Sequence, residues 1–184
     1  MKRALTLAAG LVALAATPAT AQNVAITNAT VATGDGSDPV EGATVVVRGG
    51  KVVAAGAGVA VPAGVQVLDG SGTWVTPGLF ATVTNLGLWD VGAVRESNDI
   101  RAGGSPFSAA LDVAPVVNPA SQHILIHRAA GITRAAVSGA ASGSIFAGQG
   151  AIIDLGSDAQ AVTRPRAFQV VELGEGGARL AGGS

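Results

Sequence analysis

Two histidines, four loop carboxylates and two clusters of glycine with polar residues make up most of the side-chain chemistry this chain offers. His123 and His127 are four residues apart, so on a helix they share a face, a spacing that can present two imidazoles to one zinc ion. A metal site needs further convergent donors, and none stands beside them in sequence, so the pair reads as helix-surface histidines. Asp90, Glu96, Asp99 and Asp112 lie in or near a long loop, where one of them is a candidate substrate contact and solvated loop charge is the plainer reading. Ser142-Gly143-Ser144 and Gly148-Gln149-Gly150 have the small residues with which backbone N–H groups cradle an anion, although such clusters more often make turns. Ser138-Gly139 follows an apolar run but lacks the Gly-x-Ser-x-Gly frame of a nucleophile elbow. Trp74 and Trp89 read as packing residues. The chain has no cysteine, hence no disulfide framework and no thiolate chemistry.

The elements that must hold these residues follow from hydrophobic periodicity and turn chemistry. Val24–Val31 alternates as a strand does, and Gly34 to Ser37 breaks it. Thr44–Arg48 and Lys51–Ala55 are strands joined by Gly49-Gly50, a two-residue hairpin turn whose residues must tolerate positive φ. Val65–Leu68 is a fourth strand, and Asp69-Gly70-Ser71-Gly72 a turn leading to Trp74. Together these predict a small antiparallel β-module. After Pro77 the rhythm changes. Leu79–Thr84 is a β-prone run, Asp90 to Ala109 reads as a loop or a loosely helical insertion, and Asn118-Pro119 opens a helix through Arg128 that Gly131 ends. Ile132–Val137, Gly150–Leu155 and Ala167–Leu173 then have strand character. Strand, helix, strand is the rhythm of a parallel α/β unit.

The first residues have the pattern of a secretory signal. Lys2 and Arg3 precede an uncharged apolar run from Ala4 to Ala16, and Ala19-Thr20-Ala21 is an A-x-A cleavage site. The run is too short to span a hydrocarbon core of ~30 Å. Cleavage after Ala21 leaves 163 of the 184 residues, and export, in a bacterial setting to the periplasm, is the localisation this implies. Nine basic against twelve acidic residues then remain, so no basic stripe steers the chain to nucleic acid. With 48% hydrophobic residues and 12% charged ones, the composition excludes wholesale disorder, and 27 glycines suit tight turns between short strands.

One stretch gives these elements a family. From Trp74 to Gly87 the chain reads WVTPGLFATVTNLG. It resembles the amidohydrolase superfamily, in which a Pro-Gly pair leads into a strand reading Asp-x-His-x-His, followed by Leu-Gly. Pro77-Gly78 and Leu86-Gly87 match that frame. Ala81 stands at the acid position, and Val83 and Asn85 at the two histidine positions. Gly49 to Val53 and Asp69 to Gly72 are similar to the β-module with which many members begin. Asn118-Pro119, Arg128 to Thr133, and Ser144 to Leu155 with Gly148-Gln149-Gly150 resemble the imidazolonepropionase-like branch.

The resemblance implies a fold and a chemistry. The fold is α/β: residues 1–21 a signal peptide, 22–76 a β-sandwich module, and 77–184 the first β/α units of a TIM-like (β/α)8 barrel. A full barrel takes roughly 250 residues, so the resemblance covers the N-terminal portion of such a protein. The chemistry is hydrolysis of non-peptide C–N bonds, in which a divalent metal lowers the pKa of a bound water and polarises the bond under attack. Residues two apart on a strand point the same way, so an H-x-H pair grips one ion. Val83 has no donor atom, Asn85 offers only an amide oxygen, a weak ligand for zinc, and Ala81 removes a carboxylate. The chain is therefore expected to be impaired or inactive in the family's hydrolysis, with no catalytic residue assigned and no cofactor expected. Zinc or another divalent metal enters only if later strands supply ligands, which would make an active hydrolase the alternative. The other alternative is a non-catalytic exported binding or partner subunit. A small-molecule ligand, an intact amidohydrolase or a second copy of the chain are the partners implied, without nucleic acid or a membrane span after signal cleavage.

Overall fold

A computed structural model describes residues 23–156 and 159–183. The expected signal peptide, residues 1–21, lies outside the described residues. The chain divides into two compact units with the boundary between Pro77 and Gly78. It is a mixed α/β protein with two sheets and few helices. Among the described residues no helix is long and apolar enough to cross a membrane.

The first unit is a single sheet of β1 (Val24–Val31), β2 (Val40–Arg48), β3 (Lys51–Gly56), β4 (Gln66–Asp69) and β5 (Trp74–Val75). The hairpin between β2 and β3 turns at Gly49 and Gly50, with φ of 58° and 74°, the two positive angles a type I′ turn demands. The sheet is mixed, whereas alternation alone predicts an antiparallel module. The strand order is β3-β2-β1-β4, and β4 and β5 both run parallel to β1. The physical reason is that the chain leaves β1, traverses the β2–β3 hairpin, and returns to the free edge of β1 pointing the original way. Asn28 bulges out of β1 with φ 59°, a conformation Asn tolerates, and its amide donates to Asp69 Oδ1 at 3.1 Å. Ala29, Val31, Ala43 and Val45 form the buried core of this unit.

The second unit carries a sheet in the order β6-β7-β8-β9, made of β6 (Leu79–Thr84), β7 (Ile132–Val137), β8 (Phe146–Asp154) and β9 (Val162–Val171). β6 and β7 are parallel, and the chain between them contains the helix α1 (Gln122–Ala129), which packs against β7. α1 starts at Gln122 rather than at Asn118, because Asn118 Oδ1 accepts the Ala120 N–H and holds an Asx turn ahead of the helix. The expectation of further parallel units fails after β7: β7–β8 and β8–β9 are antiparallel. Residues 138–145 and 155–161 are all that link these strands, and a parallel crossover needs a dozen or more. A short helix, α2 (Glu175–Leu180), ends the described chain. The core gathers Leu86, Leu88, Val113, Ile124, Val137, Ile153 and Leu155 from strand, loop and helix.

Candidate functional site

Two glycines set the frame of the first parallel strand. A Cβ at Gly78 would overlap the Thr133 side chain on β7, so β6 can start this close to β7 only without a side chain there. Gly87 has φ 79°, and a Cβ on it would sit 3.0 Å from Val117 Cγ1 and 3.2 Å from the Asn118 carbonyl oxygen. The Gly87 carbonyl in turn accepts the Asn118 N–H at 2.8 Å, tying the end of β6 to the approach of α1. Gly78 and Gly87 are thus packing requirements of this fold, independent of any metal.

Between those glycines, Val83, Thr84 and Asn85 reach the C-terminal end of β6. They line one side of an open cavity of about 270 Å³, with Ser138, Gly139 and Ala140 from the end of β7 and Ile100 from the intervening loop. Ligands of α/β folds collect at this end of parallel strands. The strand ends are fixed by a short ladder. Thr84 Oγ1 donates to the Ala136 carbonyl at 2.9 Å, Ser138 N to Thr84 O at 2.9 Å, and Ala140 N to Ile100 O at 2.8 Å. Among the described residues no ionisable side chain lines the cavity. It offers hydroxyl, amide and backbone groups, which bind but supply no general acid or base near neutral pH.

Asn85 is already engaged. Its Oδ1 accepts the indole Nε1–H of Trp89 at 3.1 Å. The Trp89 ring lies on that of His123, centroids 4.2 Å apart and planes 30° from parallel. His123 Nε2 faces the Asp90 carbonyl oxygen at 3.0 Å, and because a carbonyl only accepts, that nitrogen carries the proton. Asn118 Nδ2 donates to Asp90 Oδ2 at 3.0 Å, while Asp90 Oδ1 is buried without a protein partner. The contacts with Trp89 and Asp90 bring His123, read from sequence as a helix-surface residue, to the C-terminal end of β6.

The metal positions do not fit a catalytic zinc. Ala81 packs against the core, Val83 is 85% exposed and carries no donor, and the Asn85 oxygen is held by Trp89. His127 is on α1 as expected, but its Nδ1 donates to the His123 carbonyl at 2.7 Å, so the two imidazoles are each bound to backbone rather than turned to a common point. Among the described residues no group of three His, Cys, Asp or Glu is placed to hold a metal ion.

The other candidates disperse. Asp112 accepts the Ala114 N–H at 2.9 Å and pairs with Arg166 at 3.4 Å, and Glu96 is exposed within a 3-10 turn over Arg95–Ser97. Gly148-Gln149-Gly150 is no anion cradle and no turn. It lies inside β8, where Gln149 N donates to Leu111 O at 2.7 Å, a Cβ on Gly148 would sit 2.8 Å from that oxygen, and the Phe168 ring covers Gly150. Ser142-Gly143-Ser144 lies in the bend between β7 and β8. Sequence reasoning missed Ile100, Arg95 and Arg101, which the loop returns to the strand ends. Two arginines in a loop with few other cations were the available signal.

No family model matches the chain, and no curated protein does. Among solved structures, an amidohydrolase from Thermotoga maritima MSB8 is similar, with a TM-score of 0.72 and 24% identity over 86% of this chain and 41% of that one. A molinate hydrolase is also similar over a smaller part, 27% identical across 38% of this chain and 15% of that one, with a TM-score of 0.34. The chain has the fold of part of the Thermotoga protein and spans less than half of its length.

Proposed function

We propose that this chain is an amidohydrolase-related exported protein that no longer carries out metal-dependent hydrolysis through its first barrel strand and acts by binding. The fold likeness to the Thermotoga amidohydrolase supports the superfamily, nominally one of hydrolases of non-peptide C–N bonds. The order of motifs at 118–133 and 144–155 supports its imidazolonepropionase-like branch. On this reading residues 22–76, a single sheet here, contribute one layer of a β-sandwich module, and β6, α1 and β7 are the first β/α/β unit of the barrel, to which β8 and β9 add an antiparallel extension. A cleaved signal over residues 1–21 would deliver the protein to the periplasm or beyond. There it would work as a partner of an intact amidohydrolase or of a second copy.

A single observation carries the reading. Asn85, at the second histidine position, offers one amide oxygen that already accepts the Trp89 indole N–H, and Val83, at the first, has no donor atom at all. A catalytic zinc needs three protein ligands and an open position for water, and this strand supplies none of them. Metal analysis of the purified protein tests it. Substoichiometric zinc after dialysis, with no chelator-sensitive turnover of amide or cyclic-amide substrates, is the expected outcome. One zinc per chain together with turnover that a chelator abolishes would overturn it.

A further inference from the structure

Adjoining the strand-end cavity, and sharing Ile100 with it, is a second depression of about 440 Å³. Its polar lining is Arg95, Asn98, Arg101 and Ser142, drawn from the loop after β6 and the loop after β7. Among the described residues no Asp or Glu lines it. The side-chain ion pairs that arginines make among the described residues are Arg134–Asp154 and Arg166–Asp112, so neither Arg95 nor Arg101 is neutralised by a carboxylate. Arg101 is anchored: its Nη1 donates to the Ala141 carbonyl at 2.7 Å, which holds the guanidinium at the rim and leaves its other N–H groups unspent. Asn98 Oδ1 accepts the Ile100 N–H at 3.3 Å, which leaves the amide N–H groups as that side chain's free face.

From these residues we infer that the pocket binds a small organic acid or phosphate through one oxyanion group, held between Arg95 and Arg101. Two permanent positive charges and a lining dominated by N–H donors select acceptor oxygens, and a guanidinium fork matches a carboxylate or phosphate two oxygens at a time. The volume is that of a small-molecule site. A neighbouring hollow shares Ile100 and Arg101 but is lined by Asp99 and Asp112. Asp112 is paired with Arg166, and Asp99 repels any second negative charge that extends that way, which favours a single oxyanion over a polyanion. The inference deepens the binding reading above and rests on it, giving that reading a ligand class.

Calorimetric titration of the full chain with butyrate and, separately, inorganic phosphate at low ionic strength tests it. Saturable one-to-one binding that weakens with salt is expected. Tighter binding of butyrate identifies a carboxylate ligand, and tighter binding of phosphate a phosphate ligand. Arg101→Gln should weaken binding at least about ten-fold, the worth of a charge-assisted hydrogen bond. Arg95→Gln should do likewise. The Arg95 side chain makes no hydrogen bond among the described residues, and its backbone carbonyl, which accepts the Asn98 N–H, is untouched by the substitution, so it keeps the test open if Arg101→Gln fails to fold. Arg179→Gln on α2 should change nothing. Absence of saturable binding of both anions, or binding that both pocket substitutions leave unaltered, overturns the inference. Zinc uptake with chelator-sensitive turnover would instead overturn the earlier reading and leave these titrations standing.

Discussion

The indole nitrogen of Trp89 donates to the side-chain oxygen of Asn85 at 3.1 Å, across one turn of chain at the end of the first parallel strand. A position that the family resemblance assigns to a metal ligand thus serves here as a structural acceptor. Asn85→Ala removes the acceptor and leaves a half-buried indole donor unpaired. The expected cost is about 1 kcal/mol, with Asn85→Asp, which keeps an acceptor oxygen, losing less. Urea denaturation followed by tryptophan fluorescence measures both, and equal losses for the two variants would show that the bond contributes nothing.

Gly78→Ala should be far more damaging than its small size suggests. The added methyl group overlaps the Thr133 side chain, so either β6 or the threonine must move. Overpacking of this kind costs about 1–3 kcal/mol. Thr133→Gly in the same chain clears the overlap, so the double substitution should recover most of what Gly78→Ala loses beyond the cost of Thr133→Gly alone. Additive losses in a double-mutant cycle would place the strain elsewhere.

Asp35 and Asp69 give a pH signature. Hydrogen bonds from the Ser37 hydroxyl and backbone N–H, and then from Thr33, hold the Asp35 carboxyl down at about 2. Asn28 and then Ser71 lower that of Asp69. A carboxyl with a depressed folded-state pKa stabilises the fold above its unfolded value near 3.9 and ceases to do so as pH falls through the folded value. The Asp35 contribution should therefore fade between about pH 4 and pH 2. Carbon-detected NMR titration of the carboxyl groups checks it, and Ser37→Ala should raise the Asp35 midpoint towards the ordinary range. An unmoved midpoint would contradict the assigned cause.

β6 lies at the edge of its sheet, with Leu79, Phe80 and Val83 exposed and Val83 at 85%. An apolar edge strand templates pairing with another strand, and a charge placed on it is the usual remedy. Val83→Lys should lower concentration-dependent association, as read by light scattering, without lowering the melting temperature. Association unchanged by the lysine would place the contact on another surface.

Much of the local structure is legible in the sequence because it is local. The alternation of Val24–Val31, the glycine pair at 49–50, and the compact runs Leu79–Thr84 and Ile132–Val137 each carry their own signal, and all four appear at those residues. Strand direction is not local. Nothing in the alternation of Gln66–Asp69 says that it pairs parallel to β1, and the antiparallel turn of β8 and β9 follows from link lengths more than from residue types. The site is legible in the same partial way. Val83 and Asn85 can be placed by their spacing from Gly78 and Gly87, but the partner of Asn85 depends on how residues 86–89 turn, and the convergence of Arg95 with Ser142 depends on two loops meeting in space.

The glycines at 78 and 87 have a consequence for how such a protein changes over time. Each is fixed by atoms that have nothing to do with catalysis, a threonine side chain in one case and a valine and a carbonyl in the other. Val83 is not among those atoms, and its side chain is 85% exposed, so that position can change without loosening the frame. Asn85 is tied to the Trp89 indole, so any replacement there must also answer for that N–H. Frame and strand-end chemistry are thus free to vary separately at one position and coupled at the other.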